Sequence, residues 1–248
     1  MARQLAGQHH ANLILVARRA ERLNSLKNEL EKLHGIQCHV IAADLSKPAD
    51  VDRIYSESMS VCEPYAVILN AGVTHFGHHL DLDWAGFEAM LATNVTSVVR
   101  LVNLFSPTLI KQNQGGGLLL VSSMAGLQPL PYQAAYAGTK AFITNFAQGF
   151  SQELSDKNIS LTVFSPGGID TAMTQNSKLR YFENTLFLQD VTSCARDGID
   201  AFRKRKTIFV PGRLNRAQLF ASRFAPRSLL THIVQKTYSK ALNASASH

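Results

Sequence analysis

The sequence predicts an α/β protein built on a doubly wound parallel sheet that helices cover on both faces. Apolar runs of strand length alternate with longer segments of helical periodicity along the 248 residues, and strands that alternate with helices pair in parallel. Hydrophobic residues make up 46% of the chain, enough for a substantial core. No internal repeat or low-complexity segment interrupts the pattern, so we expect a single domain.

Each element follows from its local pattern, beginning with the apolar run ANLILVA at 11–17, which predicts a buried strand. The next segment, 18–35, reads as a helix because Leu23, Leu26, Leu30 and Leu33 recur at spacings of three and four, and Gly35 stands where a C-cap belongs. Further apolar runs predict strands at 36–44, 65–72, 117–123, 159–167 and 207–212. Helical patterns predict helices at 47–60, 84–113, 133–156 and 190–203, and a C-terminal helical segment broken at Pro226.

Composition restricts the compartment and the partners. The sequence has no run of eighteen apolar residues and no N-terminal apolar signal segment, and Cys38, Cys62 and Cys194 are too widely spaced for a CxxC site. We therefore expect a cytoplasmic protein without a metal site. Residues 1–195 carry 14 Lys/Arg and 16 Asp/Glu, whereas residues 196–248 carry 11 Lys/Arg and 2 Asp, so the basic character belongs to the C-terminal region.

Tyr136 and Lys140 are the first candidates for catalysis, because residues four apart lie on one helical face. A nearby ammonium favours the phenolate and lowers the pKa of a tyrosine, which suits a general acid and base at neutral pH. An ordinary amphipathic helix with a core tyrosine would show the same spacing. Ser123, however, lies thirteen residues earlier at the predicted carboxyl end of a strand, where ligand crevices form in open parallel sheets.

The segment SSMAGLQPLPYQAAYAGTK, which holds these three residues, resembles the active-site segment of the short-chain dehydrogenase/reductase family. LNAG at 69–72, TNV at 93–95, the Asp44-Leu45 pair and PGGIDT at 166–171 match that family as well, and in the same order. The resemblance covers residues 1 to about 212. It implies a Rossmann-like domain over 1–212, with 213–248 as a basic helical extension of the same domain.

The resemblance also implies a role for each matching residue. Tyr136 would exchange a proton with the substrate oxygen, and Ser123 would orient that oxygen. Lys140 would lower the pKa of the tyrosine and bind the nicotinamide ribose, and Asn94 would hold a water in a proton relay. The other implied cofactor contacts are Asp44, Leu45, Asn70, Ala71, Gly72, Pro166, Gly167, Ile169 and Thr171.

Arg18 and Arg19 follow the strand predicted at 11–17, where dinucleotide-binding domains distinguish between cofactors. An acidic residue there binds the ribose 2′-hydroxyl of NAD, whereas a guanidinium suits the 2′-phosphate of NADP. We therefore expect NADP(H) rather than NAD(H), with Arg18 as the main contact. The alternative is that both arginines only begin an exposed helix.

The family's first strand and its glycine-rich TGxxxGIG turn have no counterpart in the sequence, which begins inside the helix that follows them. That strand is normally central, between the strands predicted here at 11–17 and 65–70, so its absence would leave unpaired edges in the middle of the sheet. Either translation starts upstream of Met1, or the chain is a truncated homologue that acts as a binding protein. We favour the first, because the rest of the active-site pattern is intact.

The sequence thus predicts an NADP(H)-dependent oxidoreductase that interconverts a ketone or aldehyde and an alcohol, with 3-oxoacyl thioesters and hydroxysteroids as alternative substrates. By the same resemblance we expect a homodimer or homotetramer, formed through the helices at 84–113 and 133–156, and no nucleic-acid partner. The segment 213–240 mixes Arg with Leu, Phe and Ile. A cap on the substrate side or a contact between subunits is favoured there over attachment to an anionic membrane or to an acidic carrier.

Overall fold

The computed structural model describes residues 1–169, 188–222 and 224–244. Its strands are β1 (Leu13–Ala17), β2 (Cys38–Ala42), β3 (Ala66–Leu69), β4 (Gly117–Val121), β5 (Ser160–Phe164), β6 (Gly168–Ile169), β7 (Leu188–Gln189) and β8 (Ile208–Phe209). Its α-helices are α1 (Ala2–His9), α2 (Ala20–His34), α3 (Pro48–Val61), α4 (Trp84–Leu91), α5 (Ser97–Gln112), α6 (Ala134–Glu153), α7 (Val191–Arg203), α8 (Arg213–Ser222) and α9 (Arg227–Ala244). The predicted α/β class is confirmed.

The strands pair in parallel, as predicted, but they form more than one ladder. β3, β4, β5 and β8 form a four-stranded ladder in that order, and β1 pairs with β2 in a second ladder. Within the described part of the chain β1 and β3 do not pair, and this break falls where the resemblance places a further strand. A short parallel pair, β6 with β7, was not predicted from the sequence.

The centre of the sheet is buried on both faces, which is the arrangement that a doubly wound fold requires. Leu118 and Leu120 of β4 pack into the largest hydrophobic cluster, together with α3, α5 and α6. Leu119 points the other way and packs with Phe164 of β5 and Cys194 of α7. Successive residues of a strand face opposite sides of the sheet, so the continuous apolar run of β4 serves both helical layers.

The long helix predicted at 84–113 is interrupted once. A π-helical turn, Ala92–Thr96, separates α4 from α5. The combined segment Trp84–Gln112 has the length and composition of a membrane span, but half of its most apolar window is buried inside the fold. Burial of that extent is what the core helix of a globular domain shows.

The N-terminal helices pack as the leucine spacing predicts. Leu23 and Leu30 of α2 are buried in a cluster with Ala6 of α1, whereas Leu33 at the end of the stripe is 65% exposed. Gly35 ends α2 with a φ of 65°, and its N–H donates to the carbonyl of Glu31. This left-handed conformation is the reason for a glycine at the predicted C-cap.

Candidate active site

Tyr136 and Lys140 lie together near the start of α6. Lys140 is 5% exposed, and its Nζ donates a hydrogen bond to the carbonyl of Val121 at the end of β4, 2.9 Å away. The same Nζ lies 5.8 Å from the centre of the Tyr136 ring. The structure therefore brings both side chains to the carboxyl edge of the sheet.

Ser123 follows β4 and caps a short 3-10 turn, Met124–Leu127. Its Oγ accepts a hydrogen bond from the N–H of Ala125 at 3.1 Å, and it can donate to the carbonyl of Pro166, 3.5 Å away. The Ser123 hydroxyl also lies near enough to the Tyr136 phenol to act on the pKa of that phenol. The two hydroxyls can therefore both donate a hydrogen bond to one substrate oxygen.

The turn that follows Ser123 packs directly on α6 because residue 126 is glycine. A Cβ at Gly126 would lie 2.5 Å from the carbonyl carbon and oxygen of Lys140, which is closer than non-bonded atoms approach. Ser122 adds a hydrogen bond from its Oγ to the Lys140 carbonyl at 3.0 Å and another with Thr144 Oγ1 at 2.7 Å. These contacts fix the position of Ser123 relative to the helix that carries the other two candidates.

Asn94 lies in the π-helical turn and is 1% exposed. Its Oδ1 accepts from the N–H of Val73 at 2.9 Å, and its Nδ2 donates to the Val73 carbonyl at 2.8 Å and to Thr139 Oγ1 at 3.1 Å. Both N–H donors of the amide are thus used on protein groups. Asn94 ties the loop after β3 to α6, and its implied role in holding a water stays a prediction.

Burial changes the pKa of both titrating candidates. It raises the pKa of the Tyr136 phenol, and the nearby Ser123 hydroxyl opposes this rise. It lowers the pKa of Lys140 from 10.5 to about 8. Desolvation dominates the pKa of Tyr136, and the Lys140 ammonium is directed to the Val121 carbonyl. The role of Lys140 in lowering the pKa of Tyr136 stays a prediction.

Four of the predicted cofactor contacts lie just beyond β1 and β2. Arg18 and Arg19 are exposed. The pKa of Asp44 is lowered, mainly by a hydrogen bond from the N–H of Ser46 and in smaller part by the charge of Arg18. Leu45 packs against the main hydrophobic cluster. The structure thus places Arg18 and Asp44 near each other at neighbouring strand ends.

The predicted contacts beyond β3 and β5 differ in how close they come to the catalytic candidates. Asn70 and Ala71 are exposed, whereas a Cβ at Gly72 would lie 3.4 Å from both Asn94 Oδ1 and Lys140 Nζ. Pro166 is buried beside the Ser123 turn, and Gly167 faces Asn215 of α8. Ile169 is half-buried in β6, and Thr171 lies outside the described residues.

Comparison with known protein families shows which family the chain belongs to. A family model described as short chain dehydrogenase matches residues 1–181, most of the chain. The chain belongs to the short chain dehydrogenase family. The resemblance seen in the sequence is thereby confirmed, together with the Rossmann-like fold that it implies.

Relatives of this short chain dehydrogenase match over most of its length. Mouse 17-beta-hydroxysteroid dehydrogenase type 3 is 29% identical over 176 residues, which are 69% of this chain and 57% of the mouse protein. A structure from a study of 7beta-hydroxysteroid dehydrogenase stereoselectivity superposes with a TM-score of 0.82 at 20% identity, over 94% of this chain and 90% of its own. A short-chain dehydrogenase from Sphingobium yanoikuyae in complex with NADPH gives 0.81 at 24% identity, over 92% and 89%. The chain spans between 53% and 60% of the first curated relatives.

The C-terminal helix of this short chain dehydrogenase supplies site residues that the sequence did not indicate. Val234 of α9 and Tyr136 both pack against the buried side chains of Ala125, Leu130 and Ala137. The pKa of Tyr238 is raised, mainly by burial and also by the charge of Tyr136. Spacings of four residues between Leu230, Val234 and Tyr238 are visible in the sequence, but they do not reveal which surface the helix covers.

The loop after β3 forms another side of the same site. Gln133 at the start of α6 is 6% exposed, and its Nε2 donates to Thr74 Oγ1 at 3.2 Å. The Phe76 ring meets the Tyr238 ring edge to face, with 5.3 Å between their centres. The candidate catalytic tyrosine therefore lies between apolar and aromatic side chains from this loop and from α9.

Proposed function

We propose that this protein is an NADP(H)-dependent oxidoreductase that interconverts a ketone or aldehyde and an alcohol. The observation that carries the proposal is the placement of the Ser123 and Tyr136 side chains next to each other and beside the buried ammonium of Lys140. Family membership supports it as well. The other function considered, a binding protein without catalysis, gives no reason for a lysine that is buried without an acidic partner among the described residues.

Each of the three side chains has a separate role in carbonyl reduction. The nicotinamide supplies the hydride to the carbonyl carbon when it is bound. Tyr136 gives its proton to the carbonyl oxygen, and its raised pKa keeps the phenol protonated at neutral pH. Ser123 donates its hydroxyl hydrogen to the same oxygen, and the charge of Lys140 stabilises the tyrosinate that remains. Alcohol oxidation uses the same residues in reverse.

The donors at the strand ends fit parts of the cofactor. Lys140 has three N–H donors, and the bond to Val121 uses one, so others can reach ribose hydroxyls. Arg18 is exposed beside Asp44 and offers a guanidinium fork to a 2′-phosphate. The Sphingobium yanoikuyae relative, solved with NADPH, is consistent with that preference. No TGxxxGIG turn occurs in the sequence, so the fit rests on these donors.

The substrate class follows from the side chains around Tyr136. Val234, Leu130 and Ala125 are apolar, and Phe76 and Tyr238 add two aromatic rings. Such a lining favours a carbonyl compound with an apolar body over a charged one. We infer a hydrophobic ketone of the hydroxysteroid kind, the class for which the mouse relative is named.

Self-association is part of the proposal. Phe142 of α6 is 49% exposed and begins a row of stacked rings with Phe146 and Phe150. Phe146 and Phe150 are partly buried against the main hydrophobic cluster, so Phe142 is the exposed member of this row. We keep the prediction of a homodimer or homotetramer, formed through the helices predicted at 84–113 and 133–156.

The proposal is tested by following oxidation of NADPH and of NADH with a steroid ketone and with a small cyclic ketone. We expect turnover with NADPH and a higher KM for NADH. The Arg18→Asp variant should raise the KM for NADPH roughly tenfold or more, since a guanidinium–phosphate pair is lost and a like charge gained. The KM for NADH should change little.

Arg22→Asp is the matched control, because Arg22 is also exposed but lies one turn further along α2. It should leave both KM values unchanged. Absence of NADPH oxidation with every ketone would overturn the enzymatic proposal in favour of a binding protein. Equal effects of the two substitutions would overturn the cofactor assignment.

A further inference from the structure

The outer sides of α8 and α9 carry exposed apolar side chains that the catalytic site does not explain. Phe220 is 62% exposed, Phe224 76%, Leu229 51% and Ile233 53%. Large apolar side chains grouped in this way, rather than scattered singly, mark surfaces that make contact with something else.

These side chains form helical stripes together with basic residues. Arg213, Arg216 and Phe220 recur along α8 at spacings of three and four, and all three are exposed. On α9 the exposed stripe runs through Leu229, Ile233, Lys236 and Lys240, again at spacings of three and four. We call these two stripes, with Phe224 in the turn between the helices, the basic–apolar face.

The opposite side of α9 is already occupied. Val234 packs on the cluster that also contacts Tyr136, and Ala241 and Leu242 are buried. Residues on that side therefore hold the helix on the protein, while the exposed stripe of α9 points away from it. On α8, Arg216 is exposed but also lies over the Phe209 ring, 5.6 Å from its centre. A helix with one side on its own domain and an exposed side of mixed charge and hydrophobicity is suited to lie at an interface.

The positive charge of this face indicates which kind of partner it binds. Asp200 is the last acidic residue in the sequence, and the exposed Lys and Arg residues of α8 and α9 are Arg213, Arg216, Arg227, Lys236 and Lys240. A second copy that docked through the same face would bring these positive charges against each other. Nucleic acid would satisfy the charges but not four exposed apolar side chains. An anionic lipid surface satisfies both, since headgroups pair with the basic residues and the apolar side chains enter the acyl boundary.

We propose that the basic–apolar face of α8 and α9 docks this protein onto anionic membrane surfaces as a peripheral protein. From the sequence, a cap on the substrate side or a contact between subunits is favoured for this segment, and docking is compatible with a cap because the two would use opposite sides of α9. Docking does not depend on the proposed activity. If that activity holds, docking places the helix that covers Tyr136 at the lipid boundary, where hydrophobic ketones concentrate.

The test is flotation of the full chain with vesicles of phosphatidylcholine alone and with vesicles of phosphatidylcholine and phosphatidylglycerol in equal parts. We expect binding to the anionic vesicles only, and weaker binding at high salt. Leu229→Ser/Ile233→Ser and Lys236→Gln/Lys240→Gln should each reduce binding at least about tenfold. Their melting temperatures should stay close to that of the wild type, because all four side chains are exposed.

Matched controls replace exposed residues of the same types elsewhere. Leu33→Ser/Leu80→Ser and Lys32→Gln/Lys111→Gln should bind vesicles like the wild type. Binding that is absent, or that is equal on neutral and anionic vesicles, would overturn the proposal. So would a Leu229→Ser/Ile233→Ser protein that keeps vesicle binding but loses oligomeric mass in sedimentation, because the face would then be a contact between copies.

Discussion

Lys140 is a buried cation for which the described residues provide a carbonyl rather than a carboxylate. Its Nζ donates to the Val121 carbonyl, and burial alone accounts for the fall of its pKa to about 8. A charge held in this way destabilises the fold at neutral pH. Perturbed pKa values of this kind are typical of functional sites, so we propose a role for Lys140 in the reaction rather than in stability.

The destabilisation that results from burying the charged Lys140 should appear as a pH dependence of the free energy of unfolding. Between about pH 8 and pH 10.5 the unfolded chain keeps the lysine proton that the folded chain has released, so stability rises with pH. Relative to Lys140→Met, the free energy of unfolding of the wild type should rise across this window by on the order of 3 kcal/mol. Urea denaturation of both proteins at either end of the window measures it. A difference that does not change with pH would contradict the burial of a charged lysine.

The positions of the candidate catalytic residues could be predicted from the sequence, whereas the direction of their pKa shifts could not. The four-residue spacing and the strand end were enough to place Tyr136, Lys140 and Ser123 together. The direction of the Tyr136 pKa was not, because it depends on how deeply the phenol is buried, which the spacing of these residues does not reveal. The hydrogen bonds that use the Asn94 amide depend likewise on Val73 and Thr139, which spacing alone does not bring together.

The π-helical turn between α4 and α5 shows what a periodicity argument misses at the element scale. The sequence Ala92–Thr96 contains neither Gly nor Pro, so one continuous helix was the natural prediction. The turn instead coincides with Asn94, whose side chain is fixed by the loop after β3 and by α6. A single-turn π-bulge at such a position is a common feature of functional sites.

The role of α9 as a cap can be tested with two neighbouring residues. Val234→Ala removes apolar contacts with the cluster on which Tyr136 also packs, so the KM for a hydrophobic ketone should rise roughly tenfold. Ile233→Ala, on the exposed side of the same helix, should leave KM unchanged. Steady-state kinetics of the two variants measure this. Equal KM values would show that α9 does not border the substrate.

At the scale of the whole molecule, the sheet is divided between two ladders that share one core. Ile14 of β1 and Val67 of β3 pack against the same hydrophobic cluster, although their strands do not pair in the described residues. The alternation of strands and helices predicted the parallel order and the two helical layers. It did not reveal the β6–β7 pair, because two-residue strands leave no periodic pattern in a sequence.

The central claim is that Tyr136 moves the proton in a carbonyl–alcohol reaction, and the turnover of Tyr136→Phe tests it most directly. The variant keeps the ring and removes only the hydroxyl. We predict that kcat for NADPH-dependent ketone reduction falls roughly 10²- to 10⁴-fold, with the melting temperature unchanged. Tyr65→Phe is the matched control, because it removes the hydroxyl of an exposed tyrosine that is distant from Tyr136 in the sequence, and it should keep wild-type turnover. Full turnover by Tyr136→Phe would contradict the account.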